Sequence, residues 1–348
     1  MPITQLTLQH FRSHTDVVFE LSPDVTMIIG KNGVGKTNLL ESIYTLYSGK
    51  SFRDGDEELL AFGENWWKIT GQLDDMVREL RYQSTVVPTK QLYIDGSSKG
   101  RFTYRQQLPL VLFEPDDLLM VHASPSVRRQ YIDTLLVKLH PHFRQIIARY
   151  ERALSQRNNL LKKPLSDSDL SDALFAWDIT LSTLGADIIA ARRQLIIELD
   201  EILTGYYRGI TQHNETITVT YQTQQGSVSH ELARLLAHKL PHDRLRGFTS
   251  VGPHRDDIEF LLDGKPMKTT ASRGEVRTLL LALKFAELSL IEQYTGQSPL
   301  FLLDDVFSEL DASRQQALTH FMSGVQKIIT STETYHAKLP RDHRVIKL

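Results

Sequence analysis

A glycine-rich stretch near the N-terminus carries the residue types that bind nucleotide phosphates. Residues 30–37 fit the pattern G-x-x-x-x-G-K-[ST], with Lys36 and Thr37 at its end. Glycines let backbone N–H groups approach phosphate oxygens where a side chain would collide. The lysine adds positive charge for the β- and γ-phosphates, and the hydroxyl is placed to hold Mg²⁺, so the pattern predicts ATP and Mg²⁺ as ligands. The predicted nucleotide-binding residues of this loop are Gly30, Lys31, Asn32, Gly33, Val34, Gly35, Lys36, Thr37 and Asn38.

Two adjacent carboxylates much later in the chain supply the second half of such a site. Four apolar residues at 300–303 are followed by Asp304 and Asp305, which is typical of a parallel strand that delivers an acid to a nucleotide. Asp304 is predicted to bind Mg²⁺ together with Thr37, and Asp305 to polarise the attacking water. Lys36, Asp304 and Asp305 are therefore the predicted catalytic residues. A buried strand that ends in Asp is common, so this prediction depends on the phosphate loop.

The elements around the loop have the pattern that would position it. The apolar and β-branched residues at 25–29 predict a buried strand directly before the loop. After the loop, apolar residues recur at helical spacing and predict a helix whose N-terminus faces the phosphates. These helical residues are Leu39, Leu40, Ile43 and Leu46.

The first residues of the chain predict two strands joined by a short polar turn. Ile3, Leu6 and Leu8 run into the turn at 11–14, and a second apolar run follows at 17–21. We expect these strands to pair beside the loop strand. Arg12, in the turn, would then reach the nucleotide, although an ordinary surface position explains an arginine there equally well.

A change of composition after residue 115 predicts a separate helical lobe. Residues 124–203 are mostly helix formers with apolar residues at helical spacing, interrupted by a polar loop at 162–172. We expect an α/β head formed by residues 1–115 and 245–348, and a mainly helical arm lobe formed by residues 116–244. No heptad repeat is long enough for an extended coiled coil.

The first helices of the arm lobe are rich in arginine and lysine. The net charge of the chain is only −2, so a polyanion would have to be bound by a local patch. Arg128, Arg129 and Arg149 are the predicted contacts to DNA phosphates. Because aromatic residues do not alternate with the basic ones, we expect contacts to the backbone of a duplex. A solvated helix face is the alternative explanation.

A second anion-binding element is predicted before the helix that begins near residue 275. Ser272 and Gly274 lie at the expected N-terminus of this helix, where backbone N–H groups can bind an anion. Since the loop at 30–37 already surrounds one nucleotide, this element makes most sense if it contacts the γ-phosphate held by a second subunit. A simple helix cap is the alternative.

Composition excludes several classes of protein. The 348 residues contain no cysteine, so disulfides and thiolate metal sites are excluded. The N-terminus lacks the regions of a signal peptide, and no apolar run approaches the roughly 20 residues of a membrane span. We therefore expect a cytoplasmic protein without a membrane partner. His254 lies beside carboxylates, but a turn held by ion pairs explains it better than a metal site.

Several stretches together resemble the RecF family of bacterial DNA replication and repair proteins, which belongs to the ABC-type ATPases with SMC and Rad50 proteins. The stretches are GKNGVGKTNLLESI, SFRDGDEELLAFG, SPSVRRQYID, YERALSQRNNLL, GPHRDDIEFLLDGK, SRGEVRTLLLALKFAE and LLDDVFSELD. The resemblance implies an ABC-type P-loop ATPase head with a mixed sheet and an inserted helical arm. It also implies slow, DNA-stimulated ATP hydrolysis, ATP-dependent homodimerisation, and binding to double-stranded DNA and to junctions of single- and double-stranded DNA. Help to RecO and RecR in loading RecA, and a link to the SOS response, are further implications.

The same resemblance assigns further motif positions and shows two departures. Ser272 and Gly274 correspond to the signature motif, Glu309 and Asp311 to the D-loop, and 330–332 to the switch region. The signature usually reads Ser-Gln-Gly-Gln, but here it reads Ser-Arg-Gly-Glu. The glutamine expected near 113–117 is missing, which leaves Glu114, Asp116 or no residue in its role. The ATP-hydrolysing subunit of a membrane transporter is the alternative function, and a kinase is a third, but the signature element and the basic helical lobe favour a DNA-binding ATPase.

Overall fold

A computed structural model describes most of the chain. The described residues are 2–74, 76–223, 226, 228–305, 311, 314–315, 324–332 and 343–348. The chain forms two compact units. Unit 1 comprises residues 1–118, 209–212 and 280–348, and unit 2 comprises residues 119–208 and 213–279.

The strands and helices follow in chain order. The strands are β1 (Ile3–Phe11), β2 (His14–Glu20), β3 (Val25–Ile29), β4 (Trp66–Leu73), β5 (Met76–Gln83), β6 (Thr89–Ile94), β7 (Ser97–Arg101), β8 (Leu110–Phe113), β9 (Ile217–Gln222), β10 (Asp257–Leu262), β11 (Lys265–Pro266), β12 (Leu300–Leu303), β13 (Lys327–Ser331) and β14 (Arg344–Lys347). The helices are α1 (Lys36–Ser48), α2 (Pro125–Leu139), α3 (Phe143–Leu161), α4 (Asp167–Thr211), α5 (Ser229–Arg246), α6 (Met267–Thr270) and α7 (Arg273–Thr295).

A parallel sheet in unit 1 positions the predicted nucleotide site. Its strand order is β14-β3-β13-β12-β8, and all neighbouring strands are parallel. Every residue of β3, β8, β12 and β13 is buried, as expected for strands covered on both faces. Because parallel strands end at the same edge, the residues that follow β3 and β12 come together there.

An antiparallel sheet forms the other layer of unit 1, and it corrects one expectation. Its order is β2-β1-β4-β5-β6-β7, so β1 and β2 pair with each other and with β4 instead of beside β3. The reason is that β13 and β14 already occupy both edges of β3. The apolar face of α1 packs in one core with residues of both sheets, including Leu40, Ile43, Trp67, Ile69 and Leu302.

Unit 2 contains the predicted helices together with a small sheet. The predicted polar loop at 162–172 is shorter in the structure, because α3 ends at Leu161 and α4 already begins at Asp167. The three-stranded sheet β11-β10-β9 also belongs to this unit. Residues 245–279 therefore lie in unit 2 and not in the head, because β10 pairs with β9 along its whole length. The first predicted boundary, after residue 115, lies three residues before the end of unit 1's first segment.

Helix α4 is the longest helix described. Among the described residues it alone is long and apolar enough to cross a membrane, judged by length and composition. However, 44% of its most apolar window is buried in the structure. Leu181, Leu184 and Ile188 of this helix pack against Tyr150 and Leu236 in the core of unit 2. We therefore interpret α4 as the core helix of unit 2.

Candidate nucleotide-binding site

The phosphate loop connects β3 to α1 as the sequence predicts. Gly30 follows β3 and donates its backbone N–H to the carbonyl of Ser331 at 3.2 Å. Gly35 precedes α1 with a φ of 103°, a conformation that L side chains rarely adopt. A Cβ atom on Gly35 would lie 2.8 Å from Ser13 Oγ, so a side chain at this position would force Ser13 to move. The loop backbone therefore needs glycine where the pattern requires it.

Lys36 places a buried positive charge against the loop. Its side chain is 4% exposed, and Nζ donates hydrogen bonds to the carbonyls of Gly30 at 3.0 Å and Lys31 at 3.3 Å. Nζ also lies 3.9 Å from Asp305 Oδ1. An ammonium group held by carbonyl oxygens can transfer to phosphate oxygens, which are stronger acceptors because they are charged. The position of Lys36 thus fits its predicted role.

Asp304 joins the loop to the neighbouring strands through two hydroxyl groups. Its Oδ1 accepts hydrogen bonds from Thr37 Oγ1 at 3.1 Å and from Thr330 Oγ1 at 2.9 Å. Burial raises the pKa of Asp304, the two hydroxyl donors lower it, and the nearby charge of Asp305 raises it further. A divalent cation would offset this cost of burying a carboxylate. The hydroxyl and carboxylate oxygens of Thr37 and Asp304 are the hard ligands that Mg²⁺ prefers, so the site fits this ion.

Asp305 is held at the same edge by its backbone. Its N–H donates to Thr330 Oγ1 at 2.8 Å, and its φ of 48° is in the left-handed region, where Asp is among the residues tolerated. Its side chain is 35% exposed. Thr330 therefore bonds to both carboxylate residues, a role that sequence reasoning missed, although the family resemblance marks the 330–332 region. Apart from that resemblance, the only signal was that Thr330 ends a short apolar, β-branched run that reads as a strand.

The end of β8 supplies a further carboxylate near Asp304. Burial raises the pKa of Glu114 to about 7, repulsion by Asp117 and Asp304 adds to the rise, and Lys284 opposes it. Lys284 lies 2.9 Å from an Asp117 oxygen. Asp116 is exposed. Of the two candidates for the missing glutamine, Glu114 is the one whose charge interacts with that of Asp304, the predicted Mg²⁺ ligand.

Arg12 is bound by acidic and carbonyl groups of unit 1. Its Nε and one terminal nitrogen donate to the two carboxylate oxygens of Glu41 at 3.0 and 2.9 Å. The guanidinium also pairs with Asp54 and donates to the carbonyl of Glu58 at 2.7 Å. None of these partners belongs to the loop at 30–37. Contact between Arg12 and a nucleotide stays a prediction, and it requires the guanidinium to exchange partners.

Ser272 and Gly274 lie at the start of α7, where Ser272 caps the helix. Ser272 Oγ accepts a hydrogen bond from the backbone N–H of Glu275 at 3.3 Å, and the Glu275 carboxylate accepts one from the N–H of Ser272 at 2.6 Å. These two bonds form a capping box. Glu275, which stands where the usual signature has glutamine, thus has a local structural role. A contact from Ser272 and Gly274 to a second subunit stays a prediction.

Of the predicted D-loop pair, Glu309 lies outside the described residues. Asp311 is described, and its Oδ1 accepts a hydrogen bond from the backbone N–H of Arg314 at 3.0 Å. The predicted switch region at 330–332 includes the last two residues of the parallel strand β13, and its Thr330 donates a hydrogen bond to Asp304.

Arg128 was predicted to contact DNA, and the structure contradicts this. Its side chain is 3% exposed and makes a two-pronged ion pair with Asp257, at 2.8 Å for both contacts. One terminal nitrogen also donates to the carbonyls of Met120, Val121 and Ala123. The guanidinium therefore holds α2 against β10 and the chain before α2, and it has no access to a phosphate.

The other two predicted DNA contacts differ from each other. Arg129 is half-buried and donates to the carbonyl of Asp256 at 2.6 Å, and burial together with the charge of Arg192 lowers its pKa. Arg149, on α3, is exposed. Of the three, only Arg149 has the accessibility that phosphate binding requires.

We expect Arg128→Ala to lower the free energy of unfolding by about 3 kcal/mol, because it removes both contacts of the ion pair with Asp257 and the guanidinium donor of three carbonyls. Arg149→Ala is the matched control, since a substitution on an exposed helix face changes stability by roughly 0.5 kcal/mol or less. Urea unfolding followed by circular dichroism measures both. Equal midpoints for the two variants would show that the buried ion pair does not stabilise unit 2.

Comparison with known proteins agrees with this geometry. The family model for the RecF/RecN/SMC N terminal domain matches residues 2–343. The DNA replication and repair protein RecF of Staphylococcus epidermidis is 34% identical, over 99% of this chain and 96% of that protein. The RecF protein of Lysinibacillus sphaericus is 35% identical, over 95% of this chain and 93% of that protein. These relatives do not support the alternative of a transporter subunit.

Solved structures show the same fold. The structure of the recombination mediator protein RecF-ATPrS in the RecFOR pathway is similar with a TM-score of 0.86 and 29% identity, and the match covers 99% of this chain and 95% of that one. The Smc head domain of Pyrococcus furiosus has a TM-score of 0.53 at 14% identity, over 95% and 90% of the two chains, and supports the fold alone. The predicted class, an ABC-type ATPase head with a helical arm, is confirmed. The chain belongs to the RecF family of DNA replication and repair proteins.

Proposed function

We propose that this chain is an ATP-switched DNA-binding protein of recombinational repair and replication. ATP binding drives homodimerisation on double-stranded DNA or at junctions of single- and double-stranded DNA, and hydrolysis releases the dimer. The observation that carries the proposal is the connected cluster of Lys36, Thr37, Asp304, Thr330 and Asp305 at one edge of the parallel sheet. Membership of the RecF family supports ATP as the nucleotide and DNA repair as the process.

Each residue of the cluster is expected to have a different role in ATP hydrolysis. The loop amides and Lys36 bind the phosphates. The positive charge of Lys36 stabilises the negative charge that develops on the transferred phosphoryl group. Thr37 and Asp304 would hold Mg²⁺, which supplies neutralisation of the β- and γ-phosphate oxygens when bound. Asp305, next to Lys36 and partly exposed, accepts a hydrogen bond from the attacking water. We infer that ATP turnover is slow in the monomer, because a complete site needs Ser272 and Gly274 of a second subunit. DNA would stimulate turnover, since the proposed dimer forms on DNA.

We infer that duplex DNA binds at the exposed, basic part of α3. Arg144, Arg149 and Arg152 are all exposed on α3 and span an arc of about 140° around the helix, and the exposed acid Glu151 lies beside Arg144 at the edge of this arc. Long cationic side chains on one helix face can neutralise successive phosphates of a duplex. Assistance to RecO and RecR in loading RecA, and a cytoplasmic location, belong to the proposal through family membership alone.

Replacing Arg144, Arg149 and Arg152 by Ala is expected to weaken binding to duplex DNA and leave ATP affinity unchanged. The slope of log K against log salt should become shallower by about one unit for each phosphate that the variant no longer neutralises. Fluorescence anisotropy with a labelled duplex, at several salt concentrations and with saturating ATP, measures the slope.

The matched control removes three exposed charges elsewhere in unit 2, at Arg234, Lys239 and Lys265. If its slope changes as much as that of the α3 variant, binding follows net charge and not a defined face. An unchanged slope in the α3 variant means that this face is solvated and that the DNA surface lies elsewhere.

A further inference from the structure

A groove in unit 2 has no part in the nucleotide site or in the proposed DNA face. It has a volume of 560 Å³ and lies between the end of α2, the start of α3 and the middle of α4. Leu139 and Leu195 are buried at its base, and Phe143 and Ile146 are partly exposed on one wall. The volume is within the range of sites that bind ligands or side chains of partners.

Two alanines on α4 leave the space that forms the groove. Ala190 is exposed and Ala191 is half-buried, and both line the groove. Because these side chains are short, the surface of α4 is depressed between the longer residues on either side. Asp187, Gln194 and Glu198 lie on the same stripe, since residues three, four, seven and eleven apart share a helix face. The groove therefore follows the axis of α4.

Its charged lining residues are both acids. Asp187 and Glu198 are the only charged side chains among the described residues that line it, and the other polar lining residues are His140, His142 and Gln194. The two acids are about three helical turns, or roughly 16 Å, apart along α4. Gln194 donates a hydrogen bond to Glu198 Oε1 at 3.0 Å, which orients that carboxylate. The α4 wall of the groove thus carries a carboxylate near each of its two ends.

We propose that this groove binds an amphipathic helix of another protein, which inserts bulky apolar side chains between two basic residues spaced about three turns apart. A helix laid along a groove is a common way to bind apolar side chains at helical spacing. The basic residues would pair with Asp187 and Glu198, which fixes the position of the helix along α4. The same carboxylates oppose the binding of nucleic acid and anionic membranes, because these would place phosphates against negative charge.

A designed peptide tests the groove directly. The probe is a fluorescein-labelled, alanine-based helix of about eighteen residues, with Leu and Phe on one face between two Lys about eleven positions apart. One comparison peptide has Glu in place of both Lys, and another has Ala in place of Leu and Phe. Fluorescence anisotropy with the full chain is expected to show binding of the first peptide at least tenfold tighter than that of either comparison.

Two variants of the protein complete the test. Ala190→Trp fills the groove and is expected to weaken peptide binding at least tenfold. Ala176→Trp, at an exposed position of α4 outside the groove, is expected to leave peptide binding unchanged. The double variant Asp187→Lys with Glu198→Lys should lose the Lys peptide and gain the Glu peptide. This exchange does not depend on how well the tryptophan variant folds.

Three results would overturn the proposal. The first is equal binding of the Lys and Glu peptides, which shows a non-specific apolar surface. The second is unchanged binding in both groove variants, which places the peptide elsewhere. The third is loss of self-association in Ala190→Trp by light scattering, which makes a second copy of this chain the occupant.

Discussion

Lys36→Ala is expected to fold and to bind ATP about thirtyfold more weakly than the native chain, with no measurable hydrolysis. The ammonium group is the cation that the structure holds against the phosphate loop, 3.0 Å from the Gly30 carbonyl. Removing a charge-assisted hydrogen bond to phosphate costs on the order of 2 kcal/mol, which corresponds to that change in affinity. Hydrolysis suffers more, because the charge is needed most in the transition state.

Isothermal titration with ATP, together with release of phosphate, measures the two effects. Thermal unfolding without nucleotide should be nearly unchanged, since alanine keeps the start of α1 and the removed bonds are to two loop carbonyls. Lys99→Ala is the control, because Lys99 is an exposed lysine on β7. Normal turnover in the Lys36 variant would mean that the loop at 30–37 does not bind the hydrolysed nucleotide.

The candidate nucleotide site can be predicted from the sequence because most of the residue types that define it occupy consecutive positions. Glycines at fixed spacing, Lys36 and Thr37 all lie in one loop, and a run of four apolar residues leads to Asp304. Parallel strands then bring the two segments together, which is a general property of such sheets. Thr330 could not be assigned its two hydrogen bonds in the same way, because these depend on β13 lying between β3 and β12.

The roles of the arginines were less predictable, for a physical reason. Arg128 and Arg149 both lie in a helix-forming segment rich in basic residues, yet one is buried and the other exposed. Burial of Arg128 depends on Asp257, which is far away in sequence and reaches it through the pairing of β10 with β9. The same pairing of distant segments explains why residues 245–279 belong to unit 2 and not to the predicted head. Sequence patterns report local periodicity, whereas both outcomes depend on contacts between distant segments.

Asp305→Asn and Ser272→Arg are expected to have opposite effects on the dimer, because they act on opposite halves of the proposed shared site. Asn keeps the size of Asp and tolerates the left-handed backbone conformation of residue 305, so the fold should not change. Without the carboxylate, water is no longer polarised. We therefore expect this variant to bind ATP, to form the dimer and to remain on DNA with ATP unhydrolysed.

Ser272→Arg should still bind ATP but stay monomeric. A bulky side chain at the N-terminus of α7 would block the γ-phosphate of the second subunit and leave the loop at 30–37 of its own subunit unchanged. The substitution also removes the cap of α7, which costs about 1 kcal/mol. Ser166→Arg is the matched control, since Ser166 accepts the same kind of bond from the backbone N–H of Asp169 at the start of α4.

Light scattering at saturating ATP, with and without duplex DNA, distinguishes the possibilities. The shared-site mechanism requires a dimer for Asp305→Asn and for Ser166→Arg, and a monomer for Ser272→Arg that still binds nucleotide by titration. If Ser166→Arg is also monomeric, loss of a helix cap explains the result and no contact between subunits is needed. If Ser272→Arg dimerises as readily as Asp305→Asn, Ser272 only caps α7. The binding site of the γ-phosphate must then be formed by residues of one subunit. The comparison thus separates a switch built from two chains from an ATPase that is complete in one.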